Sequence, residues 1–466
     1  MGLTRVMNIA KDLFAPKDMT QGPPWKRIAE FTIPMFIGNV AQQLYNTADS
    51  IIVGRYIGDN ALAAVGSAGP ILFLLMVLFI GISVGAGIMV SQYFGAKDRE
   101  NLSLTIGNCL TQTAIATGVI MIIGPLTSRP LLVLLNTPPS ILDWCNEYLN
   151  IFFVGSAGFA FYNILAGILR GLGDSFSALV FLLISTVLNV WLDIVFVARF
   201  GMGVPGVALA TVIAQGISAF FCLLKLLKMK ESFDLNWSAL KLTKKHSMQL
   251  IRLSLPSGLT QAIFSLAMIV VQSLINSFGE MIIACNVIVM RVDGFAMMPN
   301  FSFGAAMTTF AGQNYGANRL DRIQQGTKEG TIMAVAVSTV ITIFLIFFGH
   351  YLMNVFTNTA ELVALSMRMM RILAVGYIAV AVTQSLSGVM RGTGDTVTPM
   401  WISLATVVVL RIPTAYGLAY LTRSAAYPNG RPESTFISLL LSWVIGALIT
   451  WICYQKASWR AKPMRP

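Results

Sequence analysis

The sequence predicts an all-α polytopic membrane protein in which 12 transmembrane helices form two pseudo-symmetric six-helix lobes around a central cleft. Three observations support this prediction: the chain is strongly apolar, its apolar runs have the length of membrane spans, and its two halves repeat one another. Of the 466 residues, 56% are hydrophobic and only 11% are charged, and the mean hydropathy is +0.72. Soluble proteins carry about 25% charged residues, so a large water-soluble domain is excluded.

A helix that crosses about 30 Å of hydrocarbon needs about 20 apolar residues. Runs of this length, broken by Gly, Pro and charged residues, predict spans 1 to 6 at 28–54, 61–93, 105–127, 145–168, 177–198 and 205–227. Spans 7 to 12 are predicted at 250–277, 283–313, 328–352, 366–389, 397–421 and 435–455. The domain prediction is an N-terminal segment 1–27, an N-lobe 28–227, a linker 228–249, a C-lobe 250–455 and a tail 456–466.

The basic residues predict the orientation of the chain. With both termini on one side, 23 of the 32 Lys and Arg residues fall on that side, seven fall on the other, and two lie inside spans. Cytoplasmic loops carry an excess of Lys and Arg, so the N-terminal segment, the linker and the tail are expected in the cytoplasm. The expected location is a bacterial-type cytoplasmic (inner) membrane. The net charge of +12 is explained in this way without a nucleic-acid partner.

An internal repeat connects the two halves. AGILRGLGD, which ends at Asp174, matches SGVMRGTGD, which ends at Asp395, and the same offset of 221 relates SQYFGA to GQNYGA. Six spans per half bring both halves into the membrane from the same side, so the repeats are parallel. Two such bundles with a cleft between them are typical of an alternating-access transporter. The RGxGD pair itself is expected to form turns and helix caps, with conformational gating as the alternative.

Ionisable side chains inside spans are costly and mark function by default. Asp49 and Asp193 are each about five residues from the outer end of their spans, and Thr211 is about six residues from the end of its own, so all three are expected at roughly 8 Å depth. Tyr45 and Asn189 precede the two aspartates by four residues and share their helix faces. The five residues predict one site for a small cation.

The chemistry of that site remains open between two ions. Two carboxylates in one site repel each other, so the pair can hold a proton. Alternatively, Na⁺ could take its oxygen ligands from Asp49, Asn189, Asp193 and Thr211. The structural alternative is that each aspartate only bonds a neighbouring helix. No metal site is predicted, because the five cysteines are scattered without a CxxC pair and only two histidines are present.

The second half lacks these acids, because the offset carries Asp49, Asn189 and Asp193 onto Val270, Leu410 and Thr414. It has other polar residues instead. Arg291 and Asp293 in span 8 are expected either to form salt bridges with other helices or to line a cavity in the C-lobe. Arg411 in span 11 precedes Ile412-Pro413, where a kink is expected.

These segments resemble the multidrug and toxic compound extrusion (MATE) family of secondary transporters. The motifs that carry the resemblance are IPMFIGNVAQQLYNTADSIIVGRYIG in span 1, LNVWLD and GVALAT in spans 5 and 6, the duplicated RGxGD, and FGAAMTTFAGQNYGA. The resemblance covers nearly the whole chain. It implies two six-helix lobes and the efflux of organic cations in exchange for H⁺ or Na⁺.

The resemblance also implies roles for individual residues. In the branch of the family with its ion site in the N-lobe, the functional positions match Tyr45, Asp49, Asn189, Asp193 and Thr211, and Pro34 matches a proline associated with bending of span 1. Another branch uses acids in spans 7 and 10. Here the span 7 position is Phe264, and span 10 offers only Gln384 as a strong polar candidate.

The sequence therefore predicts an antiporter that exports cationic, amphipathic small molecules, with H⁺ or Na⁺ as the coupling ion, no cofactor, and a monomeric state in the bilayer. A flippase for a lipid-linked anionic precursor is the alternative, and Arg291 and Arg411 are the residues that favour it. An enzyme is disfavoured because no HExxH, GxSxG or His-paired Cys is present. The two-lobe repeat disfavours a passive channel.

Overall fold

The computed structural model describes residues 16–135 and 137–457, apart from six side chains between residues 48 and 62. Its described elements are helices, with one isolated bridge between Ser424 and Tyr427. The predictions for residues 1–15 and 458–466, which belong to the N-terminal segment and the tail, lie outside the described residues.

Each predicted span corresponds to one helix or to a run of consecutive helices. In the first half these are Pro24–Tyr56, Asp59–Gly95, Arg99–Leu134, the pair Pro139–Val154 and Ser156–Gly171, Ser175–Asp193 with the π-helix Ile194–Arg199, and Gly203–Leu227. In the second half they are Lys244–Asn276, Glu280–Gly316, Leu320–Asn354, the pair Ala360–Ala374 and Gly376–Gly392, Val397–Ser403 with the π-helix Leu404–Arg411 and Ile412–Leu421, and Glu433–Gln455.

The lengths and composition of these helices agree with membrane spans. Within the described residues, nine helices are long and apolar enough to cross a membrane, and two pairs bent by 50° and 42° raise the number to eleven. The remaining long helix, Pro24–Tyr56, has 33 residues and is about 50 Å long at 1.5 Å per residue. The predicted all-α polytopic membrane fold is confirmed.

The observed helices extend beyond several predicted ends because capping, rather than hydropathy, decides where a helix starts. Span 3 begins at Arg99 instead of 105, where the Asp98 carboxylate accepts a hydrogen bond from the Asn101 N–H at 3.0 Å. The predicted linker ends at Thr243 instead of 249, because Lys244 already starts span 7. Polar first turns do not shorten a helix whose free N–H groups find acceptors.

The chain divides into two compact units. Of the described residues, unit 1 comprises 16–18 and 37–258, and unit 2 comprises 19–36 and 259–457. The boundaries between the units differ from those between the predicted lobes, because they fall within span 1 and within span 7. Each boundary lies two residues after a proline, Pro34 in span 1 and Pro256 in span 7.

Packing explains why each unit contains half of a span from the other half of the chain. In unit 2, Ile28 and Phe31 are buried in a cluster with Phe303 and Phe310. In unit 1, span 7 approaches span 2 so closely that a Cβ atom at Gly85 would lie 2.2 Å from the Ser254 hydroxyl. Hydropathy alone carries no signal for this exchange.

The two RGxGD segments form turns and caps, as predicted. Asp174 accepts hydrogen bonds from the backbone N–H and the hydroxyl of Ser177, at 2.9 and 2.6 Å, and Asp395 accepts one from the Thr398 N–H at 2.9 Å. Gly173 has φ +88°, and a Cβ atom there would lie 2.2 Å from the Lys17 carbonyl oxygen. Burial raises the pKa of the Asp174 carboxyl, against the opposing effect of its hydrogen bonds and of Lys225.

Candidate functional site

Three spans of unit 1 bring the five predicted site residues together. Tyr45 and Asp49 lie on span 1, Asn189 and Asp193 on span 5, and Thr211 on span 6. Asp193 is the last residue of its α-helix before the π-helix Ile194–Arg199. Short π-helical turns are rare and occur frequently at functional sites.

The Thr211 hydroxyl is the centre of the hydrogen bonds at this site. It accepts from the Tyr45 hydroxyl at 3.2 Å and from the Asn189 amide nitrogen at 3.2 Å, and it donates to the Val207 carbonyl at 3.1 Å. One hydroxyl therefore holds a side chain from span 1 and one from span 5 against span 6.

The two carboxyl groups of the site are close enough to interact with each other. The Asp49 and Asp193 side chains lie within hydrogen-bonding range of one another, and Asp193 has no exposed surface. Four buried oxygens have no hydrogen-bond partner among the described residues: both of Asp193, Oδ1 of Asp49 and Oδ1 of Asn189. Buried polar atoms are nearly always paired, so these four oxygens are acceptors for which the described residues supply no donor.

Sequence reasoning missed Tyr148 as a member of this site. Tyr148 lies on Pro139–Val154, is buried, and is close enough to interact electrostatically with Tyr45, Asp49 and Asp193. Its position in span 4 was predicted, but hydropathy does not show which face of that span meets spans 1 and 5.

A small cavity adjoins the site. It is lined by Thr211, Ser156, Gln215 and apolar side chains. The Ser156 hydroxyl and the Gln215 amide oxygen are buried without partners in the described part of the chain. Thr211 therefore borders both the acid pair and a space with further unpaired polar atoms.

The four candidates in unit 2 do not form a comparable site. Arg291 is exposed and forms no salt bridge with a described residue, so the expected salt bridge is absent there. Asp293 accepts a hydrogen bond from the Tyr377 hydroxyl at 2.9 Å and lies within electrostatic range of Arg411. Gln384 packs against Gly304, where an added Cβ would lie 3.4 Å from its side-chain oxygen.

Metal coordination by acidic, thiol and imidazole groups does not fit the described residues, because no three His, Cys, Asp or Glu side chains cluster within them. The site in unit 1 has two acids, and the other oxygens come from amide and hydroxyl groups.

Comparison with known proteins gives consistent matches. The sequence profile of the MatE family matches twice, at 34–195 and 256–417, which together exceed two thirds of the chain. A probable multidrug resistance protein of Bacillus subtilis, YoeA, is 31% identical over 427 residues, covering 90% of this chain and 92% of its own length. A second one, YpnP, is 28% identical and covers 95% and 98%. The fold matches an outward-facing multidrug resistance MATE transporter with a TM-score of 0.87 at 24% identity, covering 94% of this chain and 96% of the other.

Proposed function

We propose that this chain, which belongs to the MatE family of multidrug efflux transporters, exports cationic, amphipathic small molecules in exchange for H⁺ or Na⁺ by alternating access. As a member of this family it is a multi-pass membrane protein and a transporter of small molecules rather than an enzyme. The observation that carries the coupling proposal is the pair of buried carboxyl groups, Asp49 and Asp193, with partnerless oxygens.

The pair suits both coupling ions. Two facing carboxyl groups cannot both be ionised cheaply, and one shared proton removes the repulsion and supplies the missing donor. A sodium ion would instead use oxygens of Asp49, Asp193, Asn189 and Thr211. In either case the bound ion satisfies atoms that the protein itself leaves unpaired.

Transport follows from the difference in ion binding between two states. An ion taken up from outside shifts the protein toward the state that binds it more tightly, and the organic cation is released in the exchange. One charge that moves across about 150 mV supplies about 3.5 kcal/mol, which corresponds to a several-hundred-fold gradient. We propose that Pro34, which interrupts the hydrogen-bond ladder of span 1, lets this helix bend during the cycle.

The test is transport by purified protein in liposomes. Uptake of a fluorescent organic cation is measured under a pH gradient and, separately, under a sodium gradient. Wild type is expected to respond to one of them, and Asp49→Asn to neither, because the variant has lost one of the two facing carboxylates. The control is Asp143→Asn, which removes an exposed acid that forms an ion pair with Arg129. Gradient-driven transport by Asp49→Asn at the wild-type rate would contradict the proposal.

We also propose that both termini lie in the cytoplasm of a bacterial inner membrane and that the monomer is the transporting form. The charge asymmetry of 23 against seven basic residues supports the orientation. The flippase alternative remains second. Of the two arginines that favour it, Arg411 lines a cavity within unit 2 and Arg291 is exposed.

A further inference from the structure

Unit 2 contains a cavity that the coupling proposal does not use. It lies among spans 7, 8, 11 and 12. Six of its lining side chains are apolar, and four are polar: Gln272, Asn286, Arg411 and Thr435.

Arg411 is the one charged residue that lines this cavity. Its residue exposure is 6%, and its Nε has no hydrogen-bond partner among the described residues. The neighbouring acid, Asp293, already accepts from the Tyr377 hydroxyl at 2.9 Å. No ion pair joins Asp293 to Arg411 within the part of the chain that the structure describes. A buried guanidinium is normally held by paired acceptors, and this one faces a cavity instead.

The other polar groups can take part in binding an anion. The Asn286 amide donates to the Gln272 side-chain oxygen at 3.4 Å, which leaves its second N–H available in the described structure. The planar guanidinium of an arginine matches the two oxygens of a carboxylate or a phosphate. The six apolar side chains, which include Ile275 and Phe436, suit a hydrocarbon part next to that charged group.

We propose that this cavity is a binding site for a small organic anion, whose carboxylate or phosphate is held by Arg411 and whose apolar part packs against the surrounding side chains. Asp293 lies within electrostatic range of the same guanidinium and opposes the binding of the anion. The site is separate from the acid pair in unit 1, so the two proposals can fail independently.

The test measures binding of benzoate without any ion gradient. Protein in phosphatidylcholine nanodiscs is heated in rising concentrations of sodium benzoate. Each addition replaces an equal concentration of sodium chloride, so that the sodium concentration and the ionic strength stay constant. A ligand that binds only the folded state raises the unfolding midpoint. The dependence of this rise on the benzoate concentration gives the affinity of the protein for benzoate. Arg411→Gln is expected to weaken benzoate binding by about 10- to 100-fold, the range for a lost hydrogen bond to a charged group. Asp293→Asn is expected to tighten it.

The matched control is Arg423→Gln. This arginine is exposed, lies 5.3 Å from the Tyr420 ring, and does not line the cavity. Its benzoate affinity should equal that of wild type. If Arg411→Gln does not fold, Arg411→Lys replaces it, since it keeps the charge but loses the planar fork; about tenfold weaker binding is expected.

Three outcomes would overturn the proposal. The first is benzoate affinity that is unchanged in both Arg411 variants. The second is inorganic phosphate that binds as tightly as benzoate, which would remove the role of the apolar lining. The third is loss of benzoate binding in nanodiscs of phosphatidylglycerol, which would assign the cavity to a lipid headgroup rather than to a free solute.

Discussion

Replacing one acid of the buried pair should stabilise the fold and abolish coupled transport at the same time. In Asp193→Asn, the new amide nitrogen can donate to Asp49 Oδ1, which has no partner in the described structure. A hydrogen bond to a charged group contributes about 1.5–3 kcal/mol, and the repulsion between two carboxylates is removed as well. For a domain of 150–250 residues, 1 kcal/mol shifts the unfolding midpoint by about 2–4 °C. A gain of about 2 kcal/mol in unit 1 therefore corresponds to about 4–8 °C.

The assay compares thermal unfolding in detergent at a fixed heating rate, because membrane proteins often unfold irreversibly. In alkaline buffer without sodium, Asp193→Asn is expected to unfold above wild type. Acid or added sodium should raise the unfolding midpoint of wild type, since an ion that binds only the folded state stabilises that state. The difference in midpoint between Asp193→Asn and wild type should then become smaller. Transport by the variant should no longer respond to either ion gradient.

The control for this stabilisation is the same chemical change in unit 2. Asp293 already accepts a hydrogen bond from Tyr377 and lies near the positive charge of Arg411, so Asp293→Asn should leave the midpoint unchanged or lower it. The reasoning is refuted if Asp193→Asn unfolds below wild type in alkaline, sodium-free buffer, or if it still drives efflux.

Two further predictions concern the supports of the site and of the fold. Thr211→Val removes the acceptor of the hydrogen bonds from Tyr45 and Asn189, so it should lower the unfolding free energy by about 1–3 kcal/mol and reduce transport. Thr211→Ser keeps the hydroxyl and should transport like wild type. An equal loss of transport in both variants would contradict the role of the hydroxyl. Asp174→Ala and Asp395→Ala each remove a helix cap worth about 1 kcal/mol. The thermal midpoint should fall further for Asp174→Ala because the ion pair with Lys225, 3.5 Å away, is lost as well. Asp174→Asn, which keeps an acceptor without the buried charge, should lose less stability, and a neutral effect of both alanine changes would contradict the caps.

The sequence was sufficient for the fold because the bilayer imposes a simple rule on composition. Twelve apolar runs of spanning length correspond to the observed helices, and the repeated RGxGD segments form the expected turns. The grouping of Asp49, Asp193 and Thr211 could also be predicted, because depth along a span follows from residue number at 1.5 Å per residue. Their function in ion coupling stays a prediction.

What the sequence could not reveal depends on contacts between spans. The bend of 50° between the two helices of span 4 occurs at Gly155, inside the single span predicted at 145–168. The proximity of Tyr148 to the acids depends on the rotation of that span, which hydropathy does not determine. The passage of spans 1 and 7 from one unit to the other is likewise a matter of packing, and the proline two residues before each passage does not by itself predict it.

The duplication separates scaffold from chemistry. Both units keep the glycine turn and the aspartate cap, at Gly173 and Asp174 in one and at Gly394 and Asp395 in the other, and these caps stabilise the start of the following helix. The polar side chains of the two candidate sites are not copied, because Asp49 and Asp193 correspond to Val270 and Thr414. Unit 1 has acids with unpaired oxygens, whereas unit 2 has an arginine with an unpaired nitrogen. A buried group without a partner reduces stability, so its retention inside a well-packed unit favours a ligand of opposite charge, a cation in unit 1 and an anion in unit 2.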